Sequence, residues 1–143
     1  MIGEGQPLAL IAGPCVIEND DLMMRTAETL VGITRRLGIP LIFKSSFEKD
    51  NRSSAEFYRG PGIDKGLALL ARVKEAFGVP VISDIHRETD IKAAAEVLDV
   101  LQIPAYLCQQ TSLLLSAGRS GRPVNVKKGQ FLSPHNMASA VGK

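Results

Sequence analysis

Gly38-Ile39-Pro40-Leu41-Ile42-Phe43-Lys44 is echoed as Gly78-Val79-Pro80-Val81-Ile82-Ser83-Asp84, and again as Gly121-Arg122-Pro123-Val124-Asn125-Val126-Lys127. Each copy holds a helix-stopping Gly, a Pro that opens a strand, an apolar run, and an ionisable residue four positions after the Pro. Pro is tolerated at the first residue of a strand, where no ladder donor is lost. Three such copies predict three strands of one kind, each preceded by a helix. The intervening segments agree. Met23, Ala27, Leu30, Ile33 and Leu37 recur at helical spacing behind a cap at Asn19, Asp20 and Asp21. Leu67, Leu70, Lys74 and Phe77 form a second stripe after Asp64, and Ile91, Ala94, Ala95 and Leu98 a third after Thr89 or Asp90.

Two further strands complete the pattern. Leu8 to Ala12 is an apolar run closed by Gly13-Pro14 and reads as a buried strand, and Val100-Leu101-Gln102-Ile103 reads as another. Thr111 or Ser112 is expected to cap a short helix over Leu113 to Ala117, and Ser133-Pro134 to begin one more. Strict alternation of strand and helix, with continuous apolar strands, predicts a parallel sheet covered by helices. Ligands of such folds gather at the C-terminal ends of the strands. Lys44, Asp84, Gln102 and Lys127 all fall there. Any one of them could simply mark where a strand leaves the core. Four with the same polarity favour a shared site.

The longest connection runs from Lys44 to Gly62. It carries Lys44, Lys49, Arg52 and Arg59 with Ser45, Ser46, Asn51, Ser53 and Ser54 among them. Guanidinium forks, ammonium groups and short hydroxyl donors are what phosphate and carboxylate oxygens require. A solvated polar loop is the plain alternative, but the density of small donors between cations favours an anion cradle. His86 lies two residues past Asp84, as a structural imidazole or as an acid-base group. Cys15 follows Gly13-Pro14 at the end of the first strand. It is either a small apolar packing residue or a thiolate ligand for a divalent metal. Cys108 reads as packing.

Composition narrows the classes. At 143 residues and 45% hydrophobic, the chain suits a single domain, residues 1–143. A net charge of +2 with few aromatics argues against nucleic acid, and no apolar stretch is long enough to span a bilayer. No signal-peptide pattern opens the sequence, and two unpaired cysteines fit a reducing cytoplasm. Neither G-x-G-x-x-G after the first strand nor a P-loop string occurs.

With these motifs together, the sequence resembles the 3-deoxy-D-manno-octulosonate 8-phosphate synthase family. The resemblance is carried by Ala12-Gly13-Pro14-Cys15, by Lys49-Asp50-Asn51-Arg52-Ser53-Ser54 within the long loop, by Ser83-Asp84-Ile85-His86, and by Gln102-Ile103-Pro104-Ala105 with Asn125-Val126-Lys127-Lys128-Gly129-Gln130. It implies a (β/α)8 TIM barrel, of which this chain supplies about the first five strands. It also implies a cytoplasmic homotetramer that condenses phosphoenolpyruvate with arabinose 5-phosphate. By matched position, Lys44, Lys49, Gln102 and Lys127 would surround phosphoenolpyruvate. Asn51, Arg52 and Ser53 would hold the arabinose 5-phosphate, and Asp84 and His86 would lie near the reacting atoms. Cys15 resembles the metal-dependent branch, whose cofactor is a divalent metal ion with its other ligands expected outside this chain.

Two departures stand out. Where the family usually reads Arg-Gln-Thr-Asp, this chain has Gln109-Gln110-Thr111-Ser112, which bears on the contact between subunits. The chain also covers about half the family's extent. It is therefore expected to be part of a longer protein, with two unpaired sheet edges and a partly uncovered core. The alternatives are a related phosphoenolpyruvate-condensing enzyme of the heptulosonate 7-phosphate or sialic acid type, and a catalytically inactive half-barrel that binds phosphosugars. A flavodoxin-like open sheet fits the element count, but a basic loop does not supply its site.

Overall fold

A computed structural model describes residues 2–143. Five strands alternate with helices: β1 (Leu10–Ala12), α1 (Asp20–Leu37), β2 (Leu41–Lys44), α2 (Ile63–Phe77), β3 (Val81–Asp84), α3 (Ile91–Val97), β4 (Val100–Ile103), α4 (Thr111–Gly118), β5 (Val124–Val126) and α5 (Met137–Val141). Short 3-10 turns at Glu88–Asp90 and Ala105–Leu107 follow β3 and β4. All pairings are parallel, and the strand order in space is the order in sequence. A doubly wound open sheet reverses direction at a switch point, whereas unbroken sequential order is how a barrel grows. The five strands are the curled first part of a (β/α)8 barrel.

The Gly of the Gly-x-Pro unit stops a helix in two of its three copies; in the third, α4 is already closed at Arg119, two residues before Gly121. Gly38 and Gly78 close α1 and α2 in the left-handed conformation, at φ 67° and 65°. Pro40, Pro80 and Pro123 sit just before their strands. They donate nothing, but their carbonyls accept from Leu10, Phe43 and Leu101 on the neighbouring strands at 2.8, 2.8 and 3.0 Å. The core lies between sheet and helices, where Val81, Leu101 and Ile103 meet Leu67, Leu70, Leu98 and Leu113. No helix among the described residues is long and apolar enough to cross a membrane.

Four expectations need correction. The first strand is not buried: Leu8 is 76% exposed, and Leu10 and Ile11 also face outward. It is an edge strand, paired only with β2. On α1 the buried stripe is Met23, Ala27, Val31 and Thr34, while Ile33 and Leu37 are exposed. Thr34 is tolerated inside because its hydroxyl bonds back to the Leu30 carbonyl at 2.8 Å. Neither Thr111 nor Ser112 caps α4. Gln110 occupies the cap and makes no side-chain bond there. Ser133 begins a turn, accepting from the Asn136 amide at 3.3 Å, and α5 starts only at Met137.

The 45–62 connection is pinned at its base by Phe47, which is fully buried. The Phe47 amide donates to Ser83 Oγ at 3.3 Å, and its carbonyl accepts from Gly62 at 3.2 Å. Further out, the Lys49 amide bonds the Arg59 carbonyl at 2.7 Å, and Tyr58 reaches back to the Ile17 carbonyl at 2.9 Å. The segment is therefore folded onto the strand ends.

Candidate active site

Strand register brings the polar groups together. Asp84 on β3 pairs with Gln102 on β4, and Gln102 with Asn125 on β5. Residues in register project to the same face, so the three side chains form a polar row. Asn125 Nδ2 donates to Gln102 Oε1 at 2.9 Å, and Gln102 Nε2 donates to Asp84 Oδ1. Asp84 Oδ2 then accepts from Ser46 Oγ at 2.6 Å and Lys49 Nζ at 3.0 Å, with Lys44 Nζ at 3.9 Å. Ser46 is fully buried, and its single oxygen also accepts from Lys49 at 2.8 Å and from Lys44 at 3.3 Å. One hydroxyl thereby gathers two ammonium groups at one carboxylate.

This cluster lines a small cavity of about 80 Å³ at the C-terminal ends of the strands. Its walls include Lys44, Lys49, Asn51, Asp84, His86, Gln102, Tyr106 and Lys127. Seven of the sequence-derived candidates thus line one cavity, and Cys15 is not among its walls. Arg52 and Ser53 do not join them. Both are exposed. Arg52 faces a separate hollow with Val16, Glu18, Asn19, Phe57 and Tyr58, its Nε donating to the Tyr58 carbonyl at 3.1 Å. The chain turns outward after Asn51, which carries both residues from the cavity. A larger hollow of about 620 Å³ lies at the opposite strand ends, between Pro7, Pro40 and Pro80, and carries none of these groups.

Electrostatics follow from burial and pairing. Burial lowers the Lys44 ammonium below its ordinary value, against the opposing pull of Asp84. For Asp84, burial pushes the carboxyl up, but Lys44, the Ser46 hydroxyl and Lys49 outweigh it and hold it below the usual carboxylate range. Burial also lowers His86, despite Asp84, Asp50 and Glu48 nearby. The imidazole meets Phe47 edge-on and stacks on Tyr106, each with ring centroids 6.5 Å apart, and its buried Nδ1 has no protein partner. The cavity therefore presents cations, a carboxylate and a neutral imidazole together. It suits a small anion and proton transfer.

Cys15 is exposed at the mouth of β1. Ser45 Oγ holds the adjoining Pro14 carbonyl at 2.8 Å. Among the described residues no group of three or more His, Cys, Asp or Glu side chains converges for a metal ion. These residues alone do not fit a complete metal centre.

Tyr106 lines the site without any signal in the sequence beyond proximity to a strand end. Ser46 stood out only as one of several small donors in the long loop, and Asn125 only within the Asn125-Val126-Lys127 string, although its repeat position pairs with Gln102.

The family model described as DAHP synthetase I matches residues 1–143. The chain belongs to that family. Among curated relatives, the 2-dehydro-3-deoxyphosphooctonate aldolase of Citrifermentans bemidjiense is 60% identical over 142 residues, covering 99% of this chain and 52% of the relative. The protein of the same name from Desulfotalea psychrophila is 57% identical over 143 residues, covering 100% and 51%. That of Variovorax paradoxus is 58% identical over 142 residues, covering 99% and 50%. The chain thus spans about half the length of the curated relatives it matches.

Proposed function

We propose that this chain contributes the phosphoenolpyruvate side of an active site that condenses phosphoenolpyruvate with arabinose 5-phosphate, giving 3-deoxy-D-manno-octulosonate 8-phosphate and phosphate. The observation that carries the reading is the convergence of Lys44, Lys49 and Lys127 on one small cavity with Asp84 and Gln102. The relatives' name, 2-dehydro-3-deoxyphosphooctonate aldolase, supports the eight-carbon product over the heptulosonate and sialic acid alternatives.

In this reading, Lys44, Lys49 and Lys127 neutralise the phosphate and carboxylate of phosphoenolpyruvate, and Gln102 orients it. C3 of phosphoenolpyruvate attacks the aldehyde carbon, whose oxygen takes up a proton. Water adds at C2 and the phosphate leaves. Charge develops at both ends, and fixed cations in a site shielded from water stabilise it at low reorganisation cost. His86, held neutral, can take a proton from the water, and Asp84 keeps the two lysines charged and aimed. Asn51 contacts the second substrate at the cavity edge. Arg52 and Ser53, lying farther out, suit the distant phosphate of an extended five-carbon chain. Cys15 is proposed as one ligand of a divalent metal whose remaining donors lie outside the described residues, and no step is derived through it. A cytoplasmic homotetramer remains part of the proposal.

Phosphate release from phosphoenolpyruvate tests the reading. Release should require arabinose 5-phosphate, should not be supported by a four-carbon aldose phosphate, and should fall with chelator. Equal release with the four-carbon sugar would favour a seven-carbon product instead.

A further inference from the structure

Lys49 reaches Asp84 from the long 45–62 segment, not from a strand, so something must hold that segment over the cavity. Its two neighbours in sequence are both acidic, and both point away from the cavity to the same pair of guanidinium groups. Glu48 Oε2 accepts from Arg87 Nη1 at 2.8 Å and Glu48 Oε1 from Arg87 Nη2 at 3.3 Å, a two-pronged fork. Glu48 Oε1 also accepts from Arg59 Nη2 at 3.0 Å, and Asp50 pairs with Arg59. Arg59 wraps Lys49 itself: its carbonyl accepts the Lys49 amide at 2.7 Å, and its Nε donates to the Lys49 carbonyl at 3.2 Å. Arg87 immediately follows His86, and its own amide is fixed by Asp90 Oδ2 at 3.1 Å.

We infer that Glu48 and Arg87 are positioning residues, a clasp that ties the 45–62 segment to the mouth of β3 and thereby sets Lys49 over Asp84. Isolated surface ion pairs contribute little, but a bidentate fork within a network is the exception. Here the Glu48 side chain is only 19% exposed, while Arg87 and Arg59 are about half exposed. The same fork fixes the residue beside His86, so one contact registers two cavity groups against each other. The clasp itself stands on geometry; that its ligand is phosphoenolpyruvate rests on the proposed function.

The test compares the unaltered protein with Glu48→Gln, Arg87→Gln and the double variant, by amide hydrogen exchange without ligand and by calorimetric titration with phosphoenolpyruvate. Each single change should speed exchange of the Lys49 amide about tenfold, the scale set by losing a charge-assisted hydrogen bond. The amides of β2, β3 and α2 should be unmoved, and the double variant should go no further than either single, because all three break the same fork. Affinity for phosphoenolpyruvate should fall several-fold in parallel. Unchanged exchange at Lys49, a rise spread evenly over the strands, or single effects that multiply in the double variant would overturn the clasp. A loosened segment with unchanged affinity would overturn its positioning role. Failure of the unaltered protein to bind phosphoenolpyruvate would count against the proposed function, and the exchange result would still decide the clasp.

Discussion

Ser46 Oγ lies 2.6 Å from Asp84 Oδ2, thirty-eight residues away in sequence, and the same oxygen accepts from Lys44 and Lys49. A hydroxyl has one donor and two acceptor lone pairs, and here all three are used. Ser46→Ala would leave a buried carboxylate oxygen and two ammonium groups each short of a partner. Losing one member of such a buried set costs about 1–3 kcal/mol. Urea unfolding should show that loss with an unchanged slope. Ser46→Thr, which keeps the hydroxyl, should recover part of it.

Asp84 balances Lys44 and Lys49, so Asp84→Asn would leave two partly buried cations without a counter-charge. Breaking a buried pair from one side costs about 3–5 kcal/mol. The carboxyl is held below its ordinary value of 3.8, so its contribution is present above that pH and is lost as pH falls below it. The stability difference between the unaltered protein and Asp84→Asn should therefore be full at neutral pH and shrink below about pH 3.8. A difference that did not narrow in acid would contradict the pairing.

His86 is lowered by burial, so protonation is easier in the unfolded chain than in the folded one. Where the unfolded state binds more protons, stability rises with pH. As pH falls below about 6.5, the unfolded value, His86 should destabilise the fold progressively. His86→Phe should flatten the stability profile over that window, measured by thermal unfolding from pH 7 downward. An unchanged profile would place the titrating group elsewhere.

Gly13 has φ +156°, and a Cβ there would run into the carbonyl oxygen of Lys44. Backbone cannot yield as a flexible side chain does. Gly13→Ala should force β1 away from the end of β2, costing about 1–3 kcal/mol and displacing Lys44 and Cys15 relative to each other. Exchange of the amides in β1 should rise while those of β4 remain protected.

Much of this arrangement was legible in the sequence because it is local. The Gly-x-Pro units fixed the strand positions, and register then brought Asp84, Gln102 and Lys127 to one end. What was illegible depends on contacts between distant segments. Ile33 and Leu37 are apolar at helical spacing yet face outward, because α1 turns its Val31 and Thr34 side to the sheet. Periodicity alone could not choose between stripes that overlap at Met23 and Ala27. Arg52 and Ser53 match the family string, but the path of the chain after Asn51 takes them from the cavity. The Glu48–Arg87 fork joins residues thirty-nine apart, and neither charge is unusual by itself. The Asp84 hub needed Ser46, one hydroxyl among several in its loop, and only the fold distinguishes it.

In the proposed function the cavity at the strand ends takes phosphoenolpyruvate through its lysines, and Lys49 makes the shortest ammonium contact in it. Calorimetric titration of phosphoenolpyruvate into the unaltered protein and into Lys49→Met tests this most directly. Removing one charge-assisted hydrogen bond is worth about 1.5–3 kcal/mol, roughly a ten- to hundredfold change in affinity. Saturable binding to one site is expected in the unaltered protein and at least a tenfold loss in Lys49→Met, with the fold of the variant intact by circular dichroism. Equal affinity in the two proteins, or no saturable binding to either, would contradict it.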